Sequence, residues 1–441
     1  MPRMDQTFSR YLTALNQIEK LPMPQLLRYR HGLLERLVRH AHDHIDFYRE
    51  RLKPVFGADG SFDFAHWPEV PILERREAAQ DSARLRAAAL PENYGAVHEI
   101  RTSGTAELPL TFTSNGLVTM AANGALTQLC RWHGIDTARA LATIKLYPDH
   151  EIPSLPEGDH TTGWSWANPE ASAFGLDMRV PIPQQLAWLE SKKAPYLATT
   201  PSHAMALAYA AGPELGRTLG LSFVMAIAET VLPRARSVIR ELFGAKLVAI
   251  YSCQEIGFIA TECPVSGQYH IVADNALVEI LRADGSPAEP GETGRVVVTG
   301  LYNYATPFIR YALGDVATLA TGPCPCGRTL PLLAQVEGRT RAEFVFRDGT
   351  RMWPRGVHAD TIRRFVAYRE FQMAQTDYET IEFRYIPEPG APLPDHDGLQ
   401  RYARENFHPS VEIRAIVTEI PKGRSGKHEH FVSQVSGDDR L

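Results

Sequence analysis

The sequence predicts an α/β fold: a large N-terminal domain of mostly parallel sheets with helices plus a barrel-like subdomain, followed by a small C-terminal α+β domain. Three observations carry that expectation. Short apolar runs at Leu141 to Leu146, Tyr196 to Thr199, Phe223 to Ile227 and Leu247 to Tyr251 have the length and character of buried strands. Helical patterns separate the later runs, at Ser202 to Ala211 and Leu232 to Phe243, which implies right-handed crossovers between parallel strands. After Cys263 the texture turns to hairpins.

The elements follow in order. From Pro24 to Leu52 apolar residues recur at helical spacing (Leu26, Leu33, Leu34, Leu37, Val38, Ala41), with Arg, His and Glu on the other face. A proline-rich connection, Trp67 to Leu73, leads through a helix-like stretch to Ile100–Thr113. The four apolar runs come next, and parallel strands of that kind bind ligands in the loops beyond their C-terminal ends. Ala276 to Leu281, the turn Asp284-Gly285 and Arg295 to Thr299 read as one hairpin. Glu343 to Phe346, Asp348-Gly349 and Arg351 to Trp353 read as another, opening a final region of mixed strands and helices. The expected division is a domain over 1–338, with the barrel-like part at about 264–338, a junction at 339–341 and a terminal domain over 342–441.

Composition narrows the function. The chain has 441 residues, 44% of them hydrophobic and 22% charged, the balance of a globular protein with more than one core. Forty-six Lys and Arg against 51 Asp and Glu leave a net charge of -5, so no overall field favours nucleic acid or an anionic membrane. Met1 to Lys20 lacks the basic start and apolar middle of a secretory signal, and no run approaches the ~20 apolar residues that span a bilayer. A cytoplasmic protein without nucleic-acid or membrane partners is expected. Five cysteines in a chain of this kind do not suggest a disulfide framework, and the close pair Cys324-Pro325-Cys326 points to a metal site instead.

Five segments could carry chemistry. Arg101-Thr102-Ser103-Gly104-Thr105-Ala106-Glu107 packs hydroxyls around a glycine, and such loops donate hydrogen bonds to phosphate, although alone the pattern is more often a plain turn. Tyr251-Ser252-Cys253-Gln254-Glu255 follows a predicted strand, where the tyrosine ring could stack on a base and Glu255 could hold magnesium, although alone the pattern is more often a core tyrosine and a solvated glutamate. Asp315, after Gly314, could accept bonds from ribose hydroxyls. Glu337-Gly338-Arg339-Thr340-Arg341 stands at the junction. Lys427 lies in the glycine-rich Pro421-Lys422-Gly423-Arg424-Ser425-Gly426-Lys427, a loop able to bring a positive charge to a transition state or to be no more than an exposed basic terminus.

The order and separation of these five segments resemble the adenylate-forming superfamily: acyl-coenzyme A synthetases, luciferases and peptide-synthetase adenylation domains. More narrowly, the chain resembles the phenylacetate-coenzyme A ligase branch, in its length, the His44-Ile45-Asp46-Phe47-Tyr48-Arg49 stretch, Ala228-Glu229 and the run Pro307 to Asp315. The resemblance implies that Ser103, Gly104 and Thr105 touch ATP phosphates and that Glu255 binds Mg2+. It implies further that Tyr251, Ala228 and Glu229 frame adenine, and that Asp315 and Arg339 hold the ribose. Lys427 would assist adenylation from a mobile terminal domain, with Arg341 at its hinge. A carboxylic acid, aromatic or otherwise apolar, would occupy a slot near Trp164, Trp166, Ala228 and Ser252, and the acyl group would pass to coenzyme A, to an amine or to a carrier protein. A non-catalytic nucleotide-binding homologue is the reading outside the enzyme class, and a homodimer is compatible with the resemblance.

Cys263, His270, Cys324 and Cys326 supply three thiolates and an imidazole, a structural zinc set that relatives in the branch also carry, expected to staple a loop near Glu255 to the hairpin region. The chain departs from the superfamily pattern in several places, at Gln254, at Arg341, at Tyr147-Pro148-Asp149-His150 and most conspicuously in the phosphate loop. Where the phosphate loop usually continues Thr-Gly-Lys-Pro, it reads Ala106-Glu107-Leu108-Pro109 and has no lysine.

Overall fold

The computed structural model describes residues 2–91, 94–102, 109–147, 152, 157–339, 343–352, 354, 356–420 and 429–435. The N-terminal segment is helical: α1 (Pro2–Ile18), α2 (Met23–His44), α3 (Asp46–Arg51) and α4 (Arg75–Gln80). The apolar positions of α2 that recur at helical spacing are buried, Leu26, Leu34, Leu37 and Val38 to 0% exposure, because one stripe of that helix faces the core of the large domain. A hairpin, β1 (Val97–Arg101) and β2 (Thr111–Asn115), leads into α5 (Gly116–His133). Helix α1 lies directly on α5 at Gly124, where a Cβ would come within 2.4 Å of the Tyr11 ring, so the close crossing depends on a residue without a side chain.

A sheet of twelve strands organises the large domain. Its first strands are β3 (Leu141–Lys145), β4 (Asp159–Thr162) and β5 (Ser172–Asp177). Helix α6 (Ile182–Lys192) leads to β6 (Tyr196–Thr199), α7 (Pro201–Thr218) to β7 (Phe223–Ala226), and α8 (Pro233–Val238), extended by a π turn, to β8 (Lys246–Cys253). Strands β5, β3, β6, β7 and β8 run parallel in that spatial order. The expected parallel sheet with crossover helices is present. The antiparallel part is not a separate layer but its direct continuation through β9 (Gly257–Glu262) and β10 (Tyr269–Ile271) to β11 (Ala276–Leu281), β12 (Thr293–Gly300), β13 (Tyr311–Leu319) and β14 (Leu332–Arg339).

Strand β8 makes the change. Lys246 to Ala249 pair with β7 in parallel, whereas Ile250 to Cys253 pair with β9 antiparallel. The direction of pairing therefore switches midway along one strand, and the residues that follow it leave the sheet where two kinds of neighbour diverge. The C-terminal ends of parallel strands, where β8 ends, are where α/β sheets take their ligands.

After β14 come β15 (Phe344–Val345), β16 (Arg351–Met352), α9 (Gly356–Ile362), β17 (Tyr368–Gln375), β18 (Thr380–Pro387), α10 (His396–Asn406), β19 (Glu412–Val417) and β20 (Phe431–Ser433). The last four strands form a sheet in the order β19-β18-β17-β20. Phe344, Phe346, Ile362, Met373, Phe383 and Leu399 give this α+β unit a core of its own, which Leu232 of the large domain also joins. Arg234 meets Glu388 at 3.5 Å, Arg363 holds the same carboxylate from within the small unit, and Arg369 lies 4.6 Å from the ring of Tyr209. Among the described residues no helix is long and apolar enough to cross a membrane.

Candidate active site

Tyr251 stands in the antiparallel half of β8, and its hydroxyl donates to Asp315 Oδ2 at 2.9 Å. The aspartate is aimed by a bulge in β13. Arg295 and Val297 of β12 face Val316 and Ala312, so Leu313 to Asp315 crowd opposite one residue, with Gly314 at φ +74° absorbing the turn. On the other side Asp315 is in register with Arg339 of β14. Asp315 and Arg339, widely separated in sequence, thus become cross-strand neighbours.

Beside this pair, the chain leaving β7 passes through Ala228 at φ +67°, a left-handed conformation unusual for a residue with a side chain. Glu229 then turns back and accepts hydrogen bonds from the backbone N–H of Ser202 at 3.1 Å and from its hydroxyl at 3.0 Å, capping α7 from outside. The two contacts hold the strained turn in place at the C-terminal end of β7, next to Tyr251 on β8.

Glu255 is 4% exposed. Its Oε1 accepts from Arg75 Nη1 at 2.6 Å and from the Tyr311 hydroxyl at 3.2 Å. Arg75 also donates to the Tyr311 hydroxyl at 3.0 Å and, through Nη2, to Thr102 Oγ1 at 3.2 Å. Thr102 closes the base of the hydroxyl-rich loop: its N–H donates to Leu110 O, and its Oγ1 accepts from Leu110 N, both at 2.9 Å. Burial by itself would lower the pKa of Arg75, but Tyr311 and Glu255 outweigh it and hold the guanidinium firmly charged. Burial raises the hydroxyl of Tyr311, with Glu255 adding to it, and likewise the thiol of Cys253, so both stay protonated.

Arg75 arrives there because the proline-rich segment docks on β13. Leu73 N donates to Arg310 O and Ala312 N to Leu73 O, each at 2.9 Å. Buried Arg310 reaches back to the carbonyls of Pro68 at 2.7 Å and Val70 at 2.6 Å and pairs with Glu279 at 2.9 Å. Arg310 and Tyr311 belong to the run Pro307 to Asp315, but Arg75-Arg76 resembles the polar face of any surface helix and belongs to no motif, so nothing near Arg75 in the sequence points to its role.

Several expected residues are placed elsewhere. Trp164 donates to Arg139 O at 2.8 Å and meets Tyr196 edge-on, at the start of β6 and thus at the opposite end of the parallel strands from Tyr251. Trp166 packs edge-on against Phe8 of α1. Of the four residues expected near one acid slot, Trp164, Trp166, Ala228 and Ser252, the two tryptophans thus stand apart from Tyr251, Trp164 at the opposite strand ends and Trp166 against α1. Ser252 is exposed and does lie beside Tyr251. Ser103, Gly104, Thr105, Arg341 and Lys427 lie outside the described residues, as does the side chain of Arg339.

Cys263, His270, Cys324 and Cys326 do converge, with their ligand atoms within 4.8 Å of one another. Cys263 Sγ lies 3.5 Å from Cys324 Sγ, and His270 Nε2 lies 3.2 Å from Cys326 Sγ. The edges of a zinc tetrahedron with bonds of about 2.0–2.3 Å measure roughly 3.5–3.8 Å, so the donor set and its spacing fit such an ion. Burial pushes the imidazole of His270 down to about 4, which keeps it neutral and able to ligate. The cluster ties the β9–β10 turn to the β13–β14 turn. It stands at the far end of β9 from Glu255, about 20 Å away at the ordinary rise of a six-residue strand. The expectation that it staples a loop near Glu255 is corrected by that distance: the long β9 separates the two sites.

The fold as a whole is similar to that of solved CoA ligases. A 2-hydroxyisobutyryl-CoA ligase in the postadenylation state, in complex with an acyl-AMP, superposes with a TM-score of 0.77 at 20% identity, over 95% of this chain and 92% of that one. Its thioesterification state with 2-HIB-AMP and CoA gives 0.63 at the same 20% identity and the same coverage. An anthranilate CoA ligase in complex with anthranoyl-AMP gives 0.55 at 14% identity, over 75% of this chain and 64% of that one. No protein-family model matches the sequence, and no curated protein matches it.

Proposed function

We propose that the protein uses ATP to convert a carboxylic acid to an acyl-adenylate, releasing pyrophosphate, and then passes the acyl group to coenzyme A. The observation that carries this reading is the convergence of Tyr251, Asp315 and Glu255 at the pairing switch of β8, in a fold whose structural neighbours hold acyl-AMP and CoA. Asp315 is assigned the ribose hydroxyls, together with Arg339, which is in register with it across β13 and β14. The backbone of Ala228 and Glu229 and the ring of Tyr251 frame the base.

Attack of a carboxylate on the α-phosphate brings two anions together, so the reaction requires positive charge and hydrogen-bond donors at the phosphates. Ser103, Gly104 and Thr105 are assigned the donors, and Lys427 the charge that enters with the terminal domain, Arg341 acting as its hinge. Glu255 would hold Mg2+, which would neutralise phosphate charge when bound. Its two hydrogen bonds among the described residues both fall on Oε1, which leaves Oε2 for a cation. The acid is assigned to the opening beside Ser252 and Ala228. Cys263, His270, Cys324 and Cys326 are assigned a structural Zn2+ that fastens two turns and takes no part in the reaction.

Acid-dependent pyrophosphate exchange, run over aryl, alkyl and hydroxy acids, tests the first half-reaction. Lys427→Ala should lower the rate about a hundredfold or more, the scale of losing one transition-state donor. An unchanged rate removes Lys427 from the mechanism. Capture of the adenylate by coenzyme A, compared with amines and a carrier protein, tests the second. Metal analysis should find one zinc per chain, lost in Cys324→Ser; zinc retained in that variant ends the assignment.

A further inference from the structure

Beyond Arg101, which is exposed at the end of β1, the hydroxyl-rich loop carries no cation in its sequence: Leu108 stands where the superfamily usually has lysine, and Glu107 where it has its second glycine. A guanidinium nevertheless stands at the base of that loop. We propose that Arg75 is the exchangeable counter-ion of Glu255: it neutralises the carboxylate in the nucleotide-free protein, yields it to a divalent cation when ATP arrives, and then pairs with the triphosphate. This inference rests on the ATP-dependent reading above.

The geometry supplies both positions of the exchange. Nη1 holds Glu255 Oε1 at 2.6 Å, while Nη2 already points to Thr102 Oγ1 at 3.2 Å, where the loop begins. The side chains of Arg75 and Glu255 are 18% and 5% exposed, so neither charge is well solvated and each depends on its partner. A divalent cation on Glu255 places a second positive charge within a few ångströms of the guanidinium, in surroundings where like charges repel strongly. A bound triphosphate relieves that repulsion, because it offers the displaced guanidinium oxygens that match its fork. Tyr311 donates to the same Oε1 and stays protonated, so the carboxylate keeps one neutral donor throughout the exchange.

Two titrations test the exchange on the full-length protein: Mn2+ followed by electron paramagnetic resonance without nucleotide, and ATP followed by calorimetry with saturating Mg2+ or with EDTA. Arg75→Gln should bind Mn2+ at least about fivefold more tightly than the wild type and Mg2+-ATP about tenfold more weakly, the scale of one charge-assisted contact. Glu255→Gln, which frees the guanidinium, should bind metal-free ATP more tightly than the wild type, and the gain should vanish in Glu255→Gln/Arg75→Gln. If Arg75→Gln does not fold, the comparison of wild type with Glu255→Gln still decides the matter. Mn2+ affinity unimproved in Arg75→Gln, or metal-free ATP affinity unimproved in Glu255→Gln, reduces Arg75 to a structural ion pair. A wild type that fails to bind Mg2+-ATP at millimolar concentration overturns the functional reading and this inference together.

Discussion

Two regions of the large domain use the same chemical pairs for different ends. At the rim, Tyr251 donates to Asp315 and Arg75 to Glu255. Where α1 docks, Tyr11 donates to Asp274, and Glu19 collects Arg131 at 2.7 Å, the indole N–H of Trp132 at 2.8 Å and Gln128 at 3.1 Å. Glu19 and Asp274 are each 2% exposed and sealed among helices. Asp315 is half-buried and Glu255 adjoins the closed base of a loop, at the edge where the sheet changes its pairing. The same Tyr–Asp and Arg–Glu pairs thus stand in two settings, one where a helix docks and one at the strand ends, where α/β sheets take ligands.

Mutations can break this contrast, beginning with the largest effect. Glu19→Ala should cost about 3 kcal/mol of stability, because it strips the acceptor from several buried donors at once, while ATP affinity stays within twofold. A chemical denaturation series with parallel ATP titrations checks both halves; a marked loss of ATP affinity in a folded variant would erase the distinction between the regions. Asp315→Ala should do the reverse, raising the KM for ATP about thirtyfold, or about 2 kcal/mol, with little change in melting temperature. Steady-state kinetics at saturating acid measures it, and an unaltered KM would take Asp315 out of the nucleotide site.

The pH dependence sharpens the same comparison. Burial raises the carboxyl of Asp274 from the ordinary value of 3.8 to about 6, against the hydrogen bond from Tyr11, which lowers it. The folded state therefore holds this proton more tightly than the unfolded chain does. Its contribution to stability is full below pH ~4, is lost as pH rises through about 6, and is constant above, a change on the order of 3 kcal/mol. Asp274→Asn should flatten that window in urea midpoints measured from pH 4 to 7; a variant with the wild-type slope would assign the pH dependence to other groups. The smallest effect is expected at Trp164, which packs at the far end of the strands: Trp164→Phe should leave relative rates across the acid panel within about twofold. A changed order of preference would bring that side chain back into the acid site.

Much of this was legible along the chain. The four apolar runs and both hairpins were readable because hydrophobic period and turn chemistry are local properties, and α2 shows its buried stripe in its own spacing. The Cys-His set was legible because thiolates and imidazole are few and chemically distinctive, although the length of β9 sets it far from Glu255. Arg75 was not legible. Its meaning comes from Leu73 docking on β13, and nothing near Arg75 in sequence announces that contact. The tryptophans illustrate the opposite case, in which a conspicuous residue type suggested a pocket while Trp164 and Trp166 meet Tyr196 and Phe8 edge-on.

The sequence by itself determined the class of fold, the order of the segments and the residue types available for phosphate, metal and sugar. Tertiary structure alone decided which of them meet. A mid-strand switch of pairing in β8 and a bulge in β13 bring Tyr251 to Asp315, and a docked connection carries Arg75 to Glu255. The physical reason is that charge and hydrogen bonding act over a few ångströms of space, whereas these partners stand 64 and 180 residues apart along the chain.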